Sequence, residues 1–160
     1  MNVRPATADD VPLVLPMVAR ECAFHERVDP AKYGFRADPA ERYDGWLRAQ
    51  ATNSKSVFLV ADATTAGEPA RLAGFLIATV VKELPIYRIV EFGFIHDVWV
   101  EEDYRHEGCA RQLVTLATER FREIGVKQIR LDVIHGNDAA RELFKTCGFR
   151  PSTTEMLIEL

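Results

Sequence analysis

Apolar and polar positions follow two periods along this chain. Ser56 to Ala63 and Leu72 to Lys82 are apolar, β-rich runs, and the Gly67-containing stretch from Thr64 to Pro69 reads as the turn between them, a hairpin. Pro85 interrupts the pattern, and Ile86 to Val100 predicts another long strand. Gly108 to Gly125 carries Leu113, Leu116, Ala117, Phe121 and Ile124 on one face at helical spacing. Gln128 to Ile134 predicts a strand, and Asn137 to Thr146 a short helix closed by Gly148 in the C-terminal position. Thr154 to Leu160 alternates and predicts a final strand.

Nearer the start, Asn2 to Pro5 predicts a short strand. Thr7 fits an N-cap, with Asp9 and Asp10 in the first helical turn. Val11, Val14, Val18 and Cys22 then predict a helix from about Ala8 to Phe24, which Pro16 should kink or break. Asp38-Pro39-Ala40-Glu41 reads as a second helix start, running to about Ala51. The loosest segment between elements is Asp29 to Pro39. The expected order is β-α-α-β-β-β-α-β-α-β, an α/β (α+β) layer structure on one sheet, with residues 1–160 forming one domain.

Composition narrows the function classes. Hydrophobic residues are 48% and charged residues 28%, an ordinary globular balance. The net charge of −4 gives a nucleic-acid partner no general electrostatic help. No apolar stretch approaches the roughly 20 residues that span a bilayer. Met1 to Pro5 lacks a basic start followed by an apolar run, so the expected location is the cytoplasm. Cys22, Cys109 and Cys147 show no metal-like spacing, nor do His25, His96, His106 and His135, so neither a disulfide framework nor a metal site is expected.

The chemistry concentrates in His96-Asp97-Val98-Trp99-Val100 and the turn Arg105-His106-Glu107-Gly108-Cys109-Ala110, an Arg-x-x-Gly-x-Ala string between a strand and a helix. A helix N-terminus offers free N–H groups and partial positive charge to an anion. Gly108 allows close backbone approach, and Arg105 adds a cationic fork for phosphate oxygens. The strings of a Walker loop and of a dinucleotide fingerprint are both absent. Downstream, Asn137-Asp138-Ala139-Ala140-Arg141-Glu142-Leu143-Phe144 reads Asn-x-x-Ala-x-x-Leu-Phe and leads into Gly148-Phe149.

These paired motifs, with the opening Val3-Arg4-Pro5-Ala6-Thr7 and Asp10, resemble the GNAT acetyltransferase superfamily over nearly the whole chain. The resemblance implies a mixed, mostly antiparallel sheet flanked by helices. It implies acetyl-CoA in a V-shaped opening between the strand ending at Val100 and the strand Gln128 to Ile134. The backbone of Val98 and Val100 would meet the pantetheine arm. The amides of His106, Glu107, Gly108, Cys109 and Ala110 would hold the pyrophosphate, with Arg105 alongside. Asn137 matches a pantetheine contact and Lys145, more loosely, the nucleotide end. The implied reaction is direct attack of an amine, whether small molecule, polyamine or amino acid, on the thioester. Protein acetylation is the neighbouring alternative, and a homodimer is a common family assembly.

Around His96 the strand resembles that of spermidine/spermine acetyltransferases, where the matching position carries a proposed general base. A histidine can do this near neutrality, or it can be a structural histidine. His96, Val98 and Val100 share a face if the strand is regular, and a bulge would break that parity. Phe144 stands where the family usually has a tyrosine that protonates the thiolate. A phenyl ring cannot donate, so an acyl-CoA-binding sensor is the competing reading. Asn137 also fits a simple N-cap. Cys109 is either a reactive thiol or a small filler. Asp97 is expected to support structure, Glu91 and Glu26 to lie at the surface, and acceptor choice to rest on Phe24 to Phe35 and the loop around Pro85.

Overall fold

The computed structural model describes residues 1–160. Its strands are β1 (Asn2–Pro5), β2 (Ser56–Asp62), β3 (Leu72–Lys82), β4 (Glu91–Val100) and β5 (Ile129–Leu131). The helices are α1 (Val11–Val28), α2 (Pro39–Gln50), α3 (Cys109–Ile124) and α4 (Asp138–Thr146). The sheet has the order β1-β2-β3-β4-β5, antiparallel throughout except for the parallel pair β4–β5, whose crossover is α3.

The sheet is covered on both faces, so β2 is buried along nearly its whole length. Val57, Leu59 and Ala61 pack on Leu113, Ala117 and Phe121 of α3, with Phe144 of α4 in the same cluster. Phe58 and Val60 pack on the other side with Val14 and Val18 of α1 and Leu47 of α2. Gly93 is required where α3 crosses β4. A Cβ there would come within 2.9 Å of the Phe121 ring.

Arg4 ties β1 to the sheet edge. Its guanidinium donates to both oxygens of Asp10 at 2.8 Å and to Asp62 at 2.9 Å. The Asp10 carboxylate also accepts from the N–H of Thr7 at 2.8 Å and from its hydroxyl at 3.0 Å. The expected start of the first helix is therefore present, as a single 3-10 turn over Ala8–Asp10 that runs into α1.

Several expectations need correction. α1 does not break at Pro16 and continues to Val28. Only the carbonyl of Pro12 loses a partner, and it lies at the exposed helix start, where water can satisfy it. Residues 83–90 are not strand, because the chain turns there. The Glu83 N–H closes on the Val90 carbonyl at 2.8 Å, so β4 starts at Glu91. β5 is held to Ile129–Leu131 by the length of its pairing with β4. Residues 154–160 form no strand. Met156 and Ile158 are exposed, so alternation alone did not find that segment a neighbouring strand.

Candidate functional site

The site begins where two strands part. β4 and β5 pair only through Gly93↔Ile129, Phe94↔Arg130 and Ile95↔Leu131. β4 then continues to Val100 with no partner on that edge. The Glu101 N–H bonds the Ala73 carbonyl of the β3 side at 2.8 Å. By strand alternation Trp99 and Asp97 also aim their backbone groups at β3, while Val98 and Val100 aim theirs into the gap. The two valines share that edge, which has no strand partner, although the Val98 N–H meets the Glu21 carboxyl and the Val100 carbonyl accepts from Arg105 Nε.

The turn beyond β4 supplies the second half. None of the backbone N–H groups from His106 to Arg111 has an acceptor within the protein. They converge where α3 starts, with Gly108 as its N-cap at φ 81° and His106 at φ 66°. Left-handed residues interleaved in a turn aim successive N–H groups into one concavity, which suits an anion. The Arg105 guanidinium is held back: Nε donates to the Val100 carbonyl at 3.0 Å and the group lies over the Trp99 ring at 5.1 Å. It fixes the turn against the end of β4, with Nη1 3.9 Å from Glu102 Oε1. Cys109 is buried, and burial together with the Glu107 charge pushes its thiol up to about 11, so it fills space rather than reacting.

Across the gap, the Asn137 side chain accepts from the Ala140 N–H at 3.1 Å and caps α4. Its amide nitrogen remains available. Phe144 is buried edge-on against Phe149 at 5.6 Å. Lys145 is exposed and 3.8 Å from Glu142.

β4 is not regular at His96. Ile77 opposes Asp97 and Ala78 opposes Ile95, which leaves His96 as an extra residue in a bulge. Ile95, Val98 and Val100 pack with the α3 side, whereas His96 turns to the α1–α2 side. The shared face of His96, Val98 and Val100 is therefore lost. His96 sits edge-on to Trp46 at 5.3 Å and to Phe94 at 5.1 Å, and shares a hydrogen bond with Thr79 Oγ1 at 2.8 Å through Nε2. The imidazole remains exposed, but crowding by these rings desolvates it and lowers its pKa, which favours the uncharged form at neutral pH.

The bulge also turns Asp97 inward, where sequence reasoning had missed its setting. The Tyr43 hydroxyl donates to Asp97 at 2.5 Å. Glu21 of α1 is buried in the same place, and its Oε2 has no partner. Desolvation first, and then the neighbouring Asp97, raises the Glu21 pKa well above the carboxylate range. Burial also raises Asp97, with the Tyr43 hydroxyl opposing the rise. The Val98 N–H opposes the rise at Glu21, but like charges this close do not ionise together, and the more strongly desolvated Glu21 keeps the proton while Asp97 carries the charge. The signal in the sequence was Glu21 itself, a carboxylate one turn after Val18 on the apolar face of α1. Glu91, by contrast, pairs with Lys55 at 2.9 Å at the far end of β4, and Glu26 is exposed on α1.

Residues 21–149 match the sequence model of the Acetyltransferase (GNAT) family. Two proteins of Bacillus subtilis (strain 168) are similar in sequence. One is the uncharacterized N-acetyltransferase YycN, 32% identical over 63 residues, a match that spans 39% of this chain and only 40% of that protein. The other, the uncharacterized N-acetyltransferase YhfO, is 23% identical over 96% of this chain and 92% of its own. Among solved structures, a mutant of the BH1408 protein from Bacillus halodurans superposes with a TM-score of 0.82. It covers 100% of this chain and 99% of that one at 23% identity, a likeness of fold.

Proposed function

The chain belongs to the GNAT acetyltransferase family, as an N-acetyltransferase, and on that premise we propose that it moves the acetyl group of acetyl-CoA to the primary amine of a small molecule. The observation that carries this reading is the row of unpaired amides from His106 to Arg111 at the open end of the β4–β5 gap. Gly108 and its neighbours bind the pyrophosphate through those N–H groups. The Val98 and Val100 backbone binds the pantetheine arm, leaving the thioester beside the bulge. The Asn137 side-chain nitrogen is a further donor across the gap.

His96 takes the proton of the amine. Its tautomer matters. With Nε2–H donating to Thr79 Oγ1, the Nδ1 lone pair is free to accept. The amine lone pair forms the C–N bond, the C–S bond breaks, and the electron pair leaves on sulfur. Phe144 cannot protonate that sulfur, and a CoA thiolate is a stable enough leaving group to depart before water supplies the proton.

Calorimetric titration with acetyl-CoA tests the reading. One saturable site per chain supports it. The absence of any binding by acetyl-CoA or free CoA overturns it.

A further inference from the structure

Beside His96 the wall of the site is aromatic. Trp46 and Tyr43 lie one turn apart on α2 and stack at 4.7 Å with 28° between their planes. Trp46 and Phe94 both meet His96 edge-on, at 85° and 62°. Behind the rings lie Asp97 and Glu21, and neither is paired with a lysine or arginine of the chain. Elsewhere in the molecule the protein supplies its own cations to its aromatic rings. Arg27 covers Phe24, Lys32 covers Tyr33, Arg105 covers Trp99 and Arg130 covers Phe92. No such cation lies over Tyr43, Trp46 or Phe94.

We propose that this box takes an acceptor whose amine is carried on a flat apolar group, an arylalkylamine, with the cationic amine drawn toward Asp97 and the ring packed against the Trp46 and Phe94 wall. The inference rests on the acetyl-transfer reading of the same site and names its substrate class. Two features select it. The anion is buried behind π-faces, so it attracts a cation at short range without offering surface carboxylates to a long polyamine. The half-buried walls are rings, which reward a flat apolar substituent by offset or edge contact. A polyamine or a sugar amine would desolvate its further ammonium or hydroxyl groups against Trp46 and Phe94 with no partner for them.

The test is calorimetric titration with phenylethylamine, n-butylamine and spermidine, each against the free protein and the protein saturated with CoA. Phenylethylamine is expected to bind at least about tenfold more tightly than the other two. Trp46→Leu is expected to remove that preference, and Trp46→Phe to restore most of it. Spermidine or n-butylamine binding as tightly as phenylethylamine overturns the inference, as does a Trp46→Leu protein that keeps the preference. Failure of all three amines to bind overturns it as well. If CoA itself does not bind, the acetyl-CoA reading fails, and the free-protein titrations still decide the box.

Discussion

Tyr43 on α2 donates its hydroxyl to the Asp97 carboxylate on β4 at 2.5 Å, at the residue where β4 bulges. The bond links the helical layer to the strand that carries the site. It also favours the charged form of Asp97 over that of Glu21, whose Oε2 has no partner. Removing the hydroxyl by Tyr43→Phe is expected to cost about 2 kcal/mol, the range for a hydrogen bond to a charged group. Chemical denaturation at pH 7 measures it.

Glu21→Gln is expected to change stability in a pH-dependent way. The folded-state pKa of Glu21 is raised above its unfolded value. The folded protein therefore holds a proton that the unfolded chain releases, and stability falls as pH rises above about 4.3, the unfolded value. Glutamine has no proton to lose. The variant should match wild type near pH 4 and melt at a higher temperature at pH 8, and thermal scans at the two values check this. A variant less stable at both would show that the Glu21 carboxyl makes a favourable contact that the amide lacks.

Thr79→Val probes the tautomer of His96. With Oγ1 gone, Nε2–H loses its acceptor, and the imidazole loses its preference for a free Nδ1. We expect kcat to fall about tenfold, a fraction of what general-base catalysis contributes, with acetyl-CoA affinity unchanged. Steady-state kinetics with a saturating amine, alongside acetyl-CoA titration, separates the two parameters.

Gly108→Asp places a side chain and a negative charge at the cradle, on a backbone at φ 81°. Acetyl-CoA affinity is expected to fall at least about a hundredfold because the carboxylate opposes the pyrophosphate. The left-handed backbone alone costs roughly 1 kcal/mol of stability, which leaves the protein folded. Circular dichroism and calorimetry on the same sample report both effects, and unchanged affinity would place the pyrophosphate elsewhere.

Asp10→Asn tests the Arg4 cluster. The Arg4 guanidinium, as its largest influence, holds Asp10 below the usual carboxylate range. The contribution is therefore present above about pH 4 and disappears as pH falls through the lowered value. The variant should lose about 2 kcal/mol at pH 7, and the loss should be smaller at pH 2. Urea denaturation at both pH values reads this difference.

Local chemistry made much of this protein legible in its sequence. The β2–β3 hairpin followed from two apolar runs and a glycine turn, α3 from its apolar face, and α4 from its closing Gly148. The Arg105 to Ala110 string marked the turn whose amides stay free at the start of α3, because free amides at a helix start depend only on neighbouring residues. The tertiary structure decided what depends on partners distant in the chain. Residues 154–160 alternate like a strand, yet a strand exists only where another lies beside it. The bulge at His96 is a mismatch of register with β3, invisible along either strand alone, and it sends His96 and Asp97 to the side opposite Val98. The acid cluster joins residues 21, 43 and 97, brought together only by packing α1 and α2 on the sheet. Its charge state is set by the depth of that packing, which no stretch of sequence encodes by itself.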